Sequence, residues 1–249
     1  MRILTSMLAL GTLAMLVAGC GSSGSSTTAG SQRSDQAGSG SEISKARAVA
    51  YAHAVNLTAT DVPGAVVRSQ ERESGAPSLQ SVQFARCAGA VNPDGRVVDV
   101  KSAIFRIGQG TEPTRLKSSV EVMPSAALAA QDYAAARSSR GQACLARLLP
   151  QVLEGTTARV ADFGPATASF LPNLLPAGQA SFGVRVITSL TAIVAGKQTR
   201  LPVYLDIFEI LAGPAEVSLT ATSVSQPASS ATERRLLSLL CTRAQAHKL

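Results

Sequence analysis

The sequence predicts an α+β fold in which helices pack on one face of an antiparallel β-sheet. Apolar and polar residues alternate over residues 182–186 and 217–222, which is typical of strands with one buried face. Residues 201–211 are apolar on both faces, as expected for a central strand. Short connections such as Gly213-Pro214 favour an antiparallel meander. Strands followed by helical patterns place the chain in the α+β class.

The first half of the sequence also predicts strands that are followed by helices. Turn-forming residues at 61–64 and 92–95 separate its apolar runs. Ser125 can cap one helix, and Gly155 can end the next. The segment 80–90 is ambiguous between helix and strand. The predicted helices are residues 42–56, 126–137 and 141–153, and the predicted strands are residues 65–70, 97–107 and 116–123.

A last helix is predicted from Ser229 or Ser230 to Thr242. In each half, strands lead through a proline-containing break into a helix that carries a cysteine. This order suggests two similar halves, about 60–153 and 156–247, within a single domain of residues 42–249. Ordinary recurrence in an α+β fold explains the same order, so both interpretations stay open.

The N-terminus predicts a cleaved signal and a lipid anchor. An apolar run too short to span a bilayer comfortably ends in Val17-Ala18-Gly19-Cys20. These four residues resemble the lipobox of bacterial lipoproteins. The resemblance implies a signal peptide of residues 1–19 and acyl chains such as palmitate on Cys20. It also implies attachment to the extracytoplasmic face of the cell membrane. An ordinary secretory signal with an incidental cysteine is the alternative.

Residues 20–41 predict a flexible linker, because they are rich in glycine and serine and have no apolar surface to bury. The whole chain carries a formal charge of +7, but Arg234-Arg235 is its only adjacent basic pair. Nucleic-acid sites combine clustered basic residues with aromatic ones. The sequence therefore predicts no nucleic-acid partner and favours a generally basic, solvated surface. Attraction to an acidic cell surface is the functional alternative.

Cysteine counting predicts one disulfide. With Cys20 assigned to lipid, three cysteines remain in an oxidising compartment. A Cys87–Cys144 bridge is favoured, while Cys241 lies on the apolar face of a predicted helix, where a buried thiol fits. Pairings that involve Cys241 remain the alternative.

Catalytic and metal-binding patterns are missing from the sequence. It contains no Gly-x-Ser-x-Gly, no Ser-x-x-Lys and no Cys-x-x-Cys, and its two histidines, His53 and His247, lie near the ends of the domain. We therefore expect no enzyme activity, no cofactor and no metal site.

An apolar segment, residues 163–176, is interrupted by prolines and is too irregular for a strand or a long helix. It predicts either a connection folded over the core or the wall of a pocket for an apolar ligand such as a lipid. Asp206, on the same strand face as Tyr204, either borders that pocket or pairs with an arginine such as Arg185. The candidate pocket residues are Phe163, Phe170, Leu171, Leu174, Tyr204 and Asp206.

Residues 79–149 resemble the extracellular sensor domains of actinobacterial Ser/Thr kinases and their free-standing lipoprotein relatives. The resemblance rests on Cys87, residues 118–122, residues 125–130 and Cys144. It implies an antiparallel sheet with helices, disulfides and a ligand cleft. The family's tryptophan before the cysteine is missing, since residues 140–143 read Arg-Gly-Gln-Ala. The C-terminal meander and helix are also similar to PsbP-like lipoproteins.

These observations predict a non-enzymatic, membrane-anchored surface lipoprotein that binds a small or apolar ligand or a cell-envelope partner. The alternative is a structural or protein-interaction module without a pocket. A cavity bordered by the sheet and residues 163–176 would support the first hypothesis, and a packed interior beneath that segment would contradict it.

Overall fold

The helices and strands of the computed structural model follow the predicted order. The structure describes residues 42–108, 113–154, 162–172, 174–175, 180–194 and 197–249. The predicted signal peptide, Cys20, the linker and Gly155 lie outside these residues. The helices are α1 (Lys45–Val55), α2 (Leu79–Ala88), α3 (Ala126–Ala136), α4 (Ser139–Glu154) and α5 (Ser230–Ala246). The strands are β1 (Val66–Val67), β2 (Arg72–Glu73), β3 (Val98–Lys101), β4 (Phe105–Ile107), β5 (Thr114–Val122), β6 (Asp162–Phe163), β7 (Thr167–Leu171), β8 (Ser181–Val194), β9 (Lys197–Ala212) and β10 (Ala215–Val224).

The described strands form one antiparallel sheet, which confirms the α+β class. Its main order is β1-β4-β5-β10-β9-β8-β6, with β3 also paired to β5, β2 paired to β3, and β7 paired to β8. Strands β8, β9 and β10 form the predicted meander. Val120 in β5 lies opposite Val217 in β10, so this pairing joins the strands of the two halves into a continuous sheet.

Helices cover both faces of the sheet, so the prediction of a single covered face was wrong. Helices α1 and α5 pack on the first face, where Val120, Val217 and Ile210 contribute to the larger core. Tyr133 of α3 and Leu149 of α4 pack on the second face with Leu205. The apolar residues on both sides of β9 explain this arrangement, because each side needs cover from water.

The ambiguous segment 80–90 is helical. The Ser78 side chain accepts a hydrogen bond from the Ser81 amide at the start of α2, at 3.1 Å. Gly89 ends the helix with a φ of +78°, a left-handed conformation that glycine adopts without steric cost. The capping residues at the two ends therefore favour a helix over a strand, a choice that apolar periodicity alone did not determine.

Residues 163–176 contain strands, which corrects the expectation of an irregular segment. Strands β6 and β7 both pair with β8. Pro165 lies between the two strands and Pro172 follows β7, so the missing proline amides interrupt neither ladder.

The helices that follow the strands within each half lie on opposite faces of the sheet. Helices α3 and α4 follow β5 on the second face, whereas α5 follows β10 on the first. Within the part of the chain that the structure describes, no helix combines the length and the apolar character needed to cross a membrane.

A candidate ligand cavity

A cavity of about 480 Å³ lies on the second face of the sheet, between α2, α4 and strands β5, β9 and β10. This volume falls within the range of small-molecule sites, roughly 300–1,000 Å³. Its walls are mostly apolar. The lining residues are Gln80, Ser81, Phe84, Ile104, Arg115, Leu116, Lys117, Leu145, Leu148, Leu149, Leu205, Ile207, Thr220 and Thr222.

The predicted disulfide holds the two helices of the cavity together. Cys87 in α2 and Cys144 in α4 are bonded, with their Cα atoms 5.9 Å apart. In the chain-entropy model, this loop of 57 residues stabilises the fold by about 4 kcal/mol. Arg140 in α4 also donates from Nε to the Cys87 carbonyl oxygen, at 2.5 Å. The wall formed by α2 and α4 is thus fixed by a covalent bond and a hydrogen bond. Cys241 lies outside the bridge, buried in α5 on the other face.

The apolar wall comes from one stripe of α4 and from the facing side of β9. Leu145 and Leu149 are one helical turn apart, and Leu148 lies beside them. Leu205 and Ile207 are two residues apart, so both point toward α4. These side chains offer an apolar ligand burial worth about 25 cal/mol per Å² of its surface.

The floor of the cavity is polar because small or charged residues occupy the facing positions of β10 and β5. Thr220 lies between Ile207 and Lys117 in adjacent strands, and Thr222 lies beside Arg115. Hydroxyl groups and cations lose favourable hydration when they are buried, so they do not stabilise close packing of the helices on the sheet as leucine side chains would. The sheet and the helices therefore leave space here.

Lys117 and Arg115 bring positive charge to the cavity. Burial lowers the pKa of Lys117, and the positive charges of Lys101 and Arg72 lower it further. Asp99 acts in the opposite direction, but its carboxylate is already bound to Lys101, at 3.2 Å. Neither Lys117 nor Arg115 makes a hydrogen bond or an ion pair with any residue that the structure describes.

A second, polar cavity of about 300 Å³ adjoins the first. Ser81 lines both, and the charged residues of the second cavity are Arg72, Glu73, Asp99 and Lys101. Arg72 and Lys101 are directly opposite each other in β2 and β3. The charges of the second cavity are thus balanced, and the excess positive charge lies with Lys117 and Arg115 in the first.

The predicted pairing of Asp206 with Arg185 is confirmed. Arg185 donates from Nε and Nη2 to the two carboxylate oxygens of Asp206, each at 2.7 Å. Its guanidinium carbon lies 5.8 Å from the centre of the Tyr204 ring. Asp206 is fully buried. Asp206 therefore belongs to a structural ion pair on the first face of the sheet, opposite the cavity, and Tyr204 lies beside the arginine of that pair.

The four candidate residues of the segment 163–176 do not line the large cavity either. Leu171 and Leu174 pack against the first core, and the space beside Leu174 has no room for a water molecule. Phe170 is 49% exposed and its ring touches the edge of Phe182 on the second face. Phe163 pairs with Leu190 at the sheet edge. The structure thus spreads these candidates over both faces.

A group of carboxyls lies beneath α3, at the other end of the second face. Burial raises the pKa of Glu121 to about 7, of Glu209 to about 8 and of Glu216 to about 10. Arg96 contacts this group, with its Nη2 atom 2.9 Å from Glu121 and 3.9 Å from Asp132. Within the described residues, no cluster of histidine, cysteine or acidic side chains has the geometry to hold a metal ion.

The cavity residues were missed at the sequence level because they come from distant segments. A usable signal was present in β5, where Arg115, Lys117 and Ser119 alternate with buried residues. This alternation makes the second face of β5 polar, whereas Leu205 and Ile207 make the second face of β9 apolar. Only the register between β5, β10 and β9 shows that the two lie side by side.

Comparisons with known proteins give one structural similarity. No protein-family model matches the chain, and no curated protein matches it. Among solved structures, the chain is similar to the extracellular domain of PknH from Mycobacterium tuberculosis, with a TM-score of 0.40 and 10% sequence identity. The match covers 83% of this chain and 98% of that chain. This degree of similarity does not indicate a function for the chain.

Proposed function

We propose that this chain is a membrane-anchored, extracytoplasmic lipoprotein that binds a small apolar molecule in the cavity between α2, α4 and the sheet. The lipobox-like residues 17–20 support the anchor and the location. The single observation that carries the binding function is the cavity of about 480 Å³ with a mostly apolar wall. Lipid on Cys20 would keep the binding domain at the membrane surface.

The disulfide supports this function because it preserves the cavity. An unfilled apolar space in a protein tends to collapse, and collapse limits its energetic cost. The Cys87–Cys144 bond restrains α2 and α4 against such a movement. A preformed site also binds with a smaller loss of conformational entropy.

The alternative, an interaction module without a pocket, requires a packed sheet face. The first face meets this requirement beside Leu174 and Leu175. The second face does not, because the cavity separates Leu148 from Thr220. We therefore favour ligand binding over the interaction module.

Titration with the uncharged fluorophore N-phenyl-1-naphthylamine tests the proposed function. All described helices and strands lie within residues 42–249, so residues 21–249 contain the folded part without the lipid. We expect saturable fluorescence enhancement with one site per chain. The substitution Thr220→Trp places a large ring in the cavity and should reduce the affinity at least about tenfold, a loss of about 1.4 kcal/mol.

Thr167→Trp is the matched control, because Thr167 is exposed on β7, away from the lining residues. It should bind the fluorophore like the wild type. Circular dichroism would verify that both variants fold. Equal binding by all three proteins, or the absence of saturable binding by the wild type, would contradict the proposed function.

A further inference from the structure

We propose that the ligand is a single-chain amphiphile with an anionic head group, whose apolar chain lies against α4 and whose head group binds Lys117. This inference rests on the proposed function and names the ligand class for the same cavity. The argument depends on the position of the charges relative to the apolar wall. A carboxylate and a phosphate monoester share the chemistry that such a site recognises.

The cations at the cavity outnumber the carboxylates that could neutralise them. Lys117 and Arg115 line the apolar cavity, and Arg72 and Lys101 line the polar cavity beside it. Asp99 and Glu73 are the carboxylates among these lining residues, and they are bound to Lys101 and Lys45. The local field therefore favours an anion and disfavours a cation.

Lys117 has the position of a head-group ligand. It is adjacent to Thr220, which lies beside Ile207, so an ammonium, a hydroxyl and an apolar side chain follow each other across three strands. The residue as a whole is exposed to solvent, while the surrounding protein desolvates its ammonium group. Within the described part of the chain, its ammonium has neither a hydrogen bond nor an ion pair.

The electrostatic state of Lys117 supports this assignment. Burial and the nearby positive charges of Lys101 and Arg72 lower its pKa, so the charged form is destabilised without a ligand. A bound anion would supply the missing partner and stabilise the ammonium.

The apolar wall accounts for the rest of the ligand. Leu145, Leu148 and Leu149 form one side, and Leu205 and Ile207 form the other. A flexible acyl chain can follow such a space, and each buried methylene contributes about 0.8 kcal/mol. One end of the cavity is thus suited to a chain and the other to a charged group.

Displacement of bound N-phenyl-1-naphthylamine by compounds with the same lauryl chain tests the head-group preference. Laurate and lauryl phosphate carry negative charge, dodecanol is neutral and dodecyltrimethylammonium is positive. We expect both anions to displace the fluorophore at about tenfold lower concentration than dodecanol, and the cation to be the weakest. All compounds would be used below the concentrations at which they form micelles.

Lys117→Met keeps the apolar stem and removes the charge. It should bring laurate and dodecanol to within about threefold of each other, with both compared against the fluorophore affinity of the same variant. Lys197→Met is the matched control, since Lys197 is exposed at the start of β9, outside the cavity, and it should keep the full preference.

Equal displacement by laurate and dodecanol in the wild type would overturn the inference, as would an undiminished preference in Lys117→Met. A stronger displacement by the cation would also overturn it. These results are distinguishable from failure of the proposed function, in which the fluorophore itself would not bind. A preference for one of the two anions over the other supports the same ligand class and identifies its head group.

Discussion

Arg185→Leu is expected to lower the free energy of unfolding by about 3–5 kcal/mol. The substitution removes both hydrogen bonds to the carboxylate of Asp206, which is fully buried between β8 and β10. The neighbouring Glu233 offers no compensation. Burial and a hydrogen bond to Asp206 raise the pKa of Glu233, so it is protonated near neutral pH and cannot replace the lost cation.

Chemical denaturation of residues 21–249 would measure this effect. Arg200→Leu is the matched control, because Arg200 is an exposed arginine of the adjacent strand, β9, and its loss should change stability by less than about 0.5 kcal/mol. The double variant Arg185→Leu with Asp206→Leu should recover much of the loss, since no buried charge remains. A loss below about 1 kcal/mol for Arg185→Leu would contradict the structural role of this pair.

Wild-type stability is expected to fall as the pH rises from about 5 to 9, because several glutamate side chains are buried beneath α3. The pKa values of Glu121, Glu209 and Glu216 are raised from 4.5 to about 7, 8 and 10 in the folded protein. The native state therefore retains protons that the unfolded chain releases above about pH 4.5. The stability from these groups is complete below that pH and is lost as the pH rises through the folded-state values.

Glu216→Gln should reduce this pH dependence. Glu216 is 6% exposed and its Oε1 atom lacks a hydrogen-bond partner among the described residues, so a neutral amide removes a buried titrating group. A pKa difference of one unit between the folded and unfolded states corresponds to about 1.4 kcal/mol. The variant should therefore be more stable than the wild type near pH 8 by at least about 2 kcal/mol.

Thermal denaturation at about pH 5, 6, 7 and 8 gives this comparison, with an expected rise in Tm of about 5 °C for the variant near pH 8. The control Glu42→Gln changes an exposed carboxyl at the start of the described region and should leave the pH profile unchanged. A wild type that becomes more stable toward pH 8 would contradict the expected sign.

Local patterns allowed most of the fold to be predicted. The strands of the meander alternate or are apolar throughout, and short turns connect them, so their pairing follows from sequence neighbours. The Arg185–Asp206 pair was accessible for the same reason, since β8 and β9 are consecutive strands. Counting cysteines predicted one disulfide and favoured Cys87–Cys144 over pairings with Cys241, and the Cys87–Cys144 bond is present in the structure.

The cavity could not be predicted, because it depends on contacts between distant parts of the chain. Lys117 and Ile207 line the cavity together because β10 lies between their strands, and a disulfide joins α2 to α4. The coverage of both sheet faces was missed for a similar reason. Leu205 and Phe208 showed that β9 needs cover on each side, but not which helices supply it.

Native mass spectrometry of residues 21–249, produced in an oxidising compartment and incubated with a bacterial lipid extract, tests ligand binding most directly. We predict one non-covalent adduct per chain, released by collisional activation as an acidic, single-chain amphiphile. Thr220→Trp should lack the adduct and Thr167→Trp should retain it. The absence of an adduct on the wild-type chain would contradict the assignment of this cavity as a ligand site. An equal amount of the adduct on Thr220→Trp and on the wild type would also contradict it.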